Sequence, residues 1–177
     1  MGMKMVNKHF EFNVQDISEG KYDVWELIQP LWYNVSIYDG IDVYEQDLKP
    51  FSDAQRKMLA LLWYDAEVNN GGHDQFFSNS TGVVWKDAID GMRLIGATKY
   101  VENFQKAIDV FGGSISFDRD ERNEALDKLN KEERFDDFEE LDSFYYDEGD
   151  LLEFMNKYVK KNASEFVVNG IYKYYEL

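Results

Sequence analysis

The sequence predicts a mostly α-helical fold, a bundle of about six to nine helices with at most one short strand pair. Two observations predict it. Apolar residues recur at three- and four-residue spacing over most of the chain, and glycine-containing breaks separate these runs while only two prolines are present. The 177 residues have the length of one domain. We interpret the chain as a single acidic helical domain, with residues 1–20 as an N-terminal extension, 22–162 as its core and 163–177 as a C-terminal segment.

The first helices are indicated by their apolar faces and by their end signals. One amphipathic run begins at Tyr22, passes Pro30, where we expect a bend, and is stopped by Asp39-Gly40. The next helix begins with a capping box at Ser52, because the glutamine three residues later can bond back to the serine. We expect this helix to end at residues 69–72, where the sequence is Asn-Asn-Gly-Gly.

The second half of the chain continues the helical pattern. Helices are predicted over residues 83–96 and 97–113, each closed by glycine, then over 119–130, from 135 onward, over 150–161 and near Ser164. Only residues 10–14 alternate like a strand. The tail around Asn169-Gly170 is predicted to form either a hairpin at that pair or a helix that stops there.

The composition excludes several classes of function. The chain has 35 acidic and 19 basic residues, a net charge of −16 and no cysteine. Disulfides, thiolate metal sites and cysteine nucleophiles are therefore excluded, and two histidines are too few for a zinc site of three histidines. The acidic charge opposes binding to nucleic acid and to anionic membranes. We expect no cofactor, a basic protein partner and, without an apolar signal segment or membrane span, a cytoplasmic location.

The negative charge is concentrated in one segment. Residues 118–150 carry a net charge of −10, and residues 135–150 contain eight acids and no base. If this segment is helical, its aromatic face should pack inward and its carboxylates should stand outside. One interpretation is a solvated face that maintains solubility; the other is a surface that engages a basic protein. The predicted partner-binding acidic surface consists of Asp136, Asp137, Glu139, Glu140, Asp147, Glu148 and Asp150.

The most distinctive motif spans residues 67–82. Its glycines allow the chain to leave a helix through positive φ, its amides can satisfy backbone groups and its two phenylalanines can enter a core. This predicts a hydrogen-bonded corner between two helices. The residues of this structural signature are Glu67, Asn70, Gly71, Gly72, Gln75, Phe76, Phe77, Asn79, Ser80 and Gly82.

These residues resemble the signature E-x-x-N-G-G-[FY]-x-Q-[FY]-[FL]-x-N-[ST]-x-G of a family of small acidic bacterial proteins named for a DNA mimic. The segment from Tyr22 and the helix from Ser52 are also similar, so the resemblance covers roughly residues 22–162. His73 departs from the pattern, since an aromatic or apolar residue is usual there. The resemblance implies an all-helical fold and mimicry of double-stranded DNA towards a basic DNA-binding protein, such as a transcription regulator or a nuclease.

Other functions remain open from the residues alone. Glu67, His73, Asp74 and Gln75 lie close in sequence and could form an acid–base or metal-assisted hydrolase site, although we expect no enzyme and no catalytic residue. The cluster of acids at residues 147–150 lacks the alternating ligands of an EF-hand, so we expect no metal. An immunity-type inhibitor of a basic toxin would use the same charge. An acidic domain without mimicry is the remaining alternative, and the sequence does not decide between monomer and dimer.

Overall fold

The computed structural model describes residues 4–132 and 135–176, without the side chains of residues 135 and 136. These residues confirm the predicted fold class, because they form nine α-helices and one antiparallel pair of strands. The elements are β1 (Lys4–Phe12), α1 (Val14–Ser18), α2 (Val24–Trp32), α3 (Ile41–Leu48), α4 (Asp53–Ser78), α5 (Trp85–Leu94), α6 (Thr98–Val110), α7 (Arg119–Lys131), α8 (Glu139–Glu148), α9 (Leu151–Lys161) and β2 (Val168–Glu176). Short 3₁₀ turns cover Ser80–Val84, Phe135–Phe138 and Ala163–Phe166.

Helix α4 is the longest element, and α2, α5, α7 and α8 all pack against it. Its predicted capping box is present: the Gln55 backbone N–H donates to Ser52 Oγ over 3.1 Å, and the Ser52 N–H donates to Gln55 Oε1 over 2.9 Å. The predicted interruption at the glycine pair is present, because the backbone is non-helical at Gly71 and Gly72. A second helical segment, which was not predicted, follows directly and runs to Ser78, and its Phe76 side chain is buried in the core.

The first part of the chain differs from the prediction in two ways. The helix predicted from Tyr22 to residue 39 is only the nine residues of α2, which starts with a capping box at Asp23 and includes Pro30. Helices α1 and α3 were not predicted. Both are short, and α3 begins directly after Gly40, which has a φ of +85° and was predicted only as a helix stop.

The two strands bring the two ends of the described chain together in one antiparallel sheet. β1 and β2 pair antiparallel, with Phe12 opposite Val168. Both predictions for the tail are therefore wrong, because Asn169 and Gly170 lie within β2 rather than at a turn or a helix end. A β-carbon on Gly170 would lie 3.0 Å from the Tyr172 ring, so the glycine accommodates that ring within the strand.

An aromatic cluster lies beneath the acidic segment. The ring of Phe77 stacks on Phe104 of α6 with centroids 6.0 Å apart and lies 5.9 Å from Phe138, which precedes α8. All three side chains are buried. The cluster seats α8 against α4 and α6, so the acidic segment has an apolar underside, as its periodicity indicated.

Candidate functional site

The signature corner is organised around one carboxylate. Glu67 Oε2 accepts hydrogen bonds from Gln75 Nε2 at 2.6 Å and from Asn79 Nδ2 at 3.0 Å, while Oε1 accepts from Thr81 Oγ1 at 3.0 Å. Asn70 Nδ2 donates in turn to Gln75 Oε1 at 3.0 Å. Glu67 thus joins both sides of the α4 kink to the turn that follows, and its lone pairs are used for structure.

The kink brings α4 against α8. Gly72 adopts a φ of +73°, where a side chain is strained, and a β-carbon there would lie 2.1 Å from Asp142 Oδ2. Glycine is required at this position for both reasons. Gly71 has a φ of −161°, which any residue adopts, so its requirement is of a different kind: an added β-carbon would meet the side chain of Gln75.

A buried arginine ties the corner to α7. The Arg122 side chain is 1% exposed, and its guanidinium donates to four backbone carbonyls. Nε donates to Phe77 O at 2.8 Å and Nη2 to Asn79 O at 2.9 Å, while Nη1 donates to Ser116 O and Phe117 O. Burial lowers the pKa of Arg122 to about 10. The arginine therefore satisfies two carbonyls at the C-terminal end of α4 and two in the loop before α7.

His73 is wholly buried and hydrogen-bonded on both ring nitrogens. Nδ1 lies 2.5 Å from Asp142 Oδ1, and Nε2 lies 2.8 Å from the Tyr64 hydroxyl. Burial raises the pKa of Tyr64 well above its ordinary value, so this hydroxyl is a donor. A ring that accepts from Tyr64 and donates to Asp142 satisfies every group. The His73 backbone N–H also donates to Asp142 Oδ1, at 2.9 Å.

Three further hydrogen bonds attach α8 to its neighbours. The Tyr145 hydroxyl donates to Asp65 Oδ1 at 2.5 Å, and the Tyr146 hydroxyl donates to the Val68 carbonyl at 2.9 Å. On the other side, Asn103 Nδ2 of α6 donates to the Leu141 carbonyl at 3.1 Å. Burial raises the pKa of both Tyr145 and Asp65. Helix α8 is thus held at fixed positions by α4 and α6.

Most of the predicted acidic surface is exposed. This set is Asp137, Glu139, Glu140, Asp147 and Asp150. Glu148 is partly buried and forms an ion pair with Lys99 Nζ at 2.8 Å. The side chain of Asp136 lies outside the described part of the structure. From here, the five exposed acids are called the acidic face.

The acidic face includes a shallow groove of about 540 Å³ between α6 and α8. Asp137, Glu139 and Glu140 line it together with Lys106, Val110 and Leu141. Three carboxylates on a concave surface raise the local negative potential, which Lys106 reduces in part. The groove has the charge and the shape to receive a cationic side chain.

Comparison of the sequence with models of protein families assigns the chain to a family. The family model described as DMP19-like protein matches residues 49–162, more than half of the chain. The chain belongs to the DMP19-like family. No curated protein and no solved structure matches. DMP19-like proteins are a DNA-mimic family, so the resemblance predicted from the signature is supported at the level of the family.

The DMP19-like match is narrower than the predicted resemblance. It begins at residue 49 rather than near Tyr22, so α2 and α3 lie outside it. It contains the whole corner from Glu67 to Gly82, the buried Arg122 and the acidic face. The features that fix α8 therefore all fall in the family region.

The residues of the alternative enzyme site are placed by the DMP19-like fold in two separate networks. Glu67 bonds to Gln75, Asn79 and Thr81, whereas His73 bonds to Tyr64 and Asp142. Asp74 is partly buried, and burial together with the Asp142 charge raises its pKa. Within residues 4–132 and 135–176, no three acids or histidines group as metal ligands, and no helix is long and apolar enough to cross a membrane.

Two residues that determine the site were not predicted from the sequence. The expectation that all carboxylates of the acidic segment stand outside is wrong for Asp142, which turns inward to His73. Arg122 contributed to the prediction only through the net charge of residues 118–150. The sequence did contain a signal for its burial, because Arg122 shares a helix face with Leu126 and Leu129. All three residues are buried in the structure.

Proposed function

We propose that this chain is a non-enzymatic acidic binding protein that mimics double-stranded DNA and occupies the nucleic-acid site of a basic DNA-binding protein. The partner is a transcription regulator or a nuclease in the cytoplasm. The observation that carries the proposal is an acidic face on a helix whose position is fixed by buried and partly buried hydrogen bonds from two neighbouring helices.

Fixed position favours binding because little conformational entropy is lost when the partner docks. A solvated face that served only solubility would need no such anchoring. Glu140 and Asp147 lie seven residues apart on α8, about two turns, so their carboxylates stand on one side and roughly 10 Å apart along the axis. Charges repeated on one side of a rigid rod are the feature that DNA phosphates present to a protein.

The energetic argument rests on counterions. A basic DNA-binding groove holds anions in solution and releases them when phosphates, or carboxylates in their place, enter it. Binding to this chain should therefore weaken as salt rises and should exclude duplex DNA. An immunity-type inhibitor of a basic nuclease toxin would bind in the same way, and the identity of the captured partner separates the two.

The test is a competition experiment. The immobilised chain is used to capture cytoplasmic proteins, which are eluted with salt and identified. Each captured DNA-binding protein is then titrated with the chain in the presence of labelled duplex DNA between about 50 and 200 mM salt. We expect displacement of the DNA and a negative slope of log affinity against log salt.

Charge variants make the test specific. The triple variant Glu139→Gln, Glu140→Gln, Asp147→Asn removes three charges of the acidic face. Its matched control, Glu11→Gln, Glu19→Gln, Glu153→Gln, removes three exposed charges elsewhere. We expect the first to lose competition and to reduce the salt slope, and the second to retain both. Equal losses from both variants, or capture of unrelated basic proteins without DNA competition, would identify a solvated acidic surface instead.

A further inference from the structure

A second groove lies away from the acidic segment, beside the C-terminal end of α2. It measures about 760 Å³, within the range of ligand sites. The loop after α2 forms one wall, Trp63 of α4 forms another, and Lys173 and Tyr175 of β2 complete it. From here it is called the aromatic groove, and its lining rings are Trp25, Trp32, Tyr33, Tyr38, Trp63 and Tyr175.

The rings of the aromatic groove support one another. Trp32 stacks on Trp63 with ring centroids 3.6 Å apart and an interplanar angle of 15°, and Trp25 meets Trp32 edge-on at 4.8 Å. Three of the four tryptophans of the chain thus converge on one groove. Trp25 is 38% exposed and Tyr38 is 75% exposed, so both can contact a ligand.

The charges at the aromatic groove favour a cation. Asp47 lines it and accepts from the Ser36 backbone N–H through Oδ2 at 2.9 Å, which leaves Oδ1 to accept from a ligand. Residues 36–47 contain four acids and no base, of which Glu45 is ion-paired with Arg56. Asp47 is the acid and Lys173 the base among the lining residues. Ring faces are negative and attract cations, whereas the net charge of −16 repels anions.

We propose that the aromatic groove binds an arginine side chain of the protein partner. A planar guanidinium can lie on an indole face while its N–H groups donate to a carboxylate, and it is more weakly hydrated than an ammonium group. The choice of a basic partner as its source rests on the proposed function. Of the residues that line the groove, Trp63 lies within the family match at residues 49–162 and the others lie outside it.

The site is tested first without any partner. The probe is a blocked Gly-Arg-Gly peptide, compared with blocked Gly-citrulline-Gly, which has a similar shape without the charge. The readout is the indole N–H resonance of each tryptophan in ¹⁵N-labelled chain. Trp85 stacks on Phe117 and does not line the groove, so it serves as an internal control. We expect saturable shifts for Trp25, Trp32 and Trp63 with the arginine peptide only.

Substitutions of residues that line the aromatic groove test whether the arginine peptide binds there. Trp25→Ala and Tyr38→Ala should each weaken the arginine peptide about fivefold, the size of one cation–π contact. The control is Phe154→Ala, since Phe154 is 41% exposed and lies on α9, away from the groove. Equal shifts at Trp85, equal binding of the citrulline peptide, or shifts that follow protein concentration alone would overturn the proposal; the last would indicate a second copy of the chain.

The two proposals can fail separately. The acidic-face triple variant should bind the arginine peptide like the parent chain but lose competition with DNA. With a captured partner, Trp25→Ala should lower affinity about fivefold and leave the salt slope unchanged. Peptide binding without DNA competition would overturn only the proposed function, and DNA competition without peptide binding would overturn only the arginine site.

Discussion

The Nε atom of Arg122 lies 2.6 Å from the position that a β-carbon on residue 82 would occupy. Gly82 is therefore part of the signature because a buried guanidinium lies against its backbone. The same guanidinium bonds the carbonyls of Phe77 and Asn79, which belong to the signature themselves. One arginine outside the motif thus contacts three positions inside it and explains why one of them, residue 82, is a glycine.

Gly82→Ala should destabilise the fold. The added methyl group displaces the Arg122 side chain from its carbonyls, and overpacking at a buried site costs about 1–3 kcal/mol. Urea unfolding followed by circular dichroism measures the loss. In an Arg122→Met background the same substitution should cost much less, and an equal cost in both backgrounds would contradict the stated contact.

Arg122→Met should destabilise the fold by about 3 kcal/mol or more, because it removes the donors of four carbonyls, two at the end of α4 and two in the loop before α7. Arg122→Lys should recover only a small part, since an ammonium group cannot reproduce the planar fork of donors. The control is Arg119→Met on the exposed side of α7, which donates through Nε to Ser78 O alone. Comparable losses for both arginines would count against the role given to Arg122.

His73→Phe should destabilise the fold by about 1–3 kcal/mol, although a phenyl ring suits the signature. The substitution leaves the Tyr64 hydroxyl without its acceptor and Asp142 without the imidazole donor. Adding Tyr64→Phe should recover part of the loss, because the unpaired buried hydroxyl is then absent. No recovery in this double-mutant cycle of unfolding free energies would show that the hydroxyl is not coupled to the histidine.

Asp74→Asn should stabilise the fold at pH 7 and have a smaller effect at pH 3. Burial, and then the charge of Asp142, raise the pKa of Asp74 in the folded state above its ordinary value of 3.8. The folded state therefore retains a proton that the unfolded state loses, so stability falls as pH rises from 3.8 through the folded pKa. Unfolding at the two pH values tests this, with the exposed Asp42→Asn as control. A greater benefit at pH 3 would contradict the sign.

Local signals in the sequence were sufficient to predict helix boundaries in the family region. The capping box at Ser52 and the glycines after α5 and α6 predicted those boundaries, because capping depends on residues three or four positions apart. The tail was mispredicted because Asn169-Gly170 is a turn signal only when its flanks pair with each other. Here they pair with β1, about 160 residues away.

The candidate site was predicted only in part for the same reason. The acidic residues were evident from composition, and most of them are exposed as expected. Their anchoring was not, since Asp142 and His73 are 69 residues apart and Arg122 and Phe77 are 45 residues apart. Hydrogen bonds at such separations follow from the packing of α4 against α7 and α8, which no local pattern encodes.

The inward carboxylate of Asp142 also has a geometric consequence. A helix held by apolar contacts alone can turn a little about its own axis, but a hydrogen bond from a buried ring and a backbone N–H to one carboxylate sets its angle. DNA keeps its phosphates in phase through covalent bonds of the sugar backbone. In this chain, the inward carboxylate of Asp142 fixes the rotation of α8 about its axis and therefore the direction in which the exposed acids of that helix point.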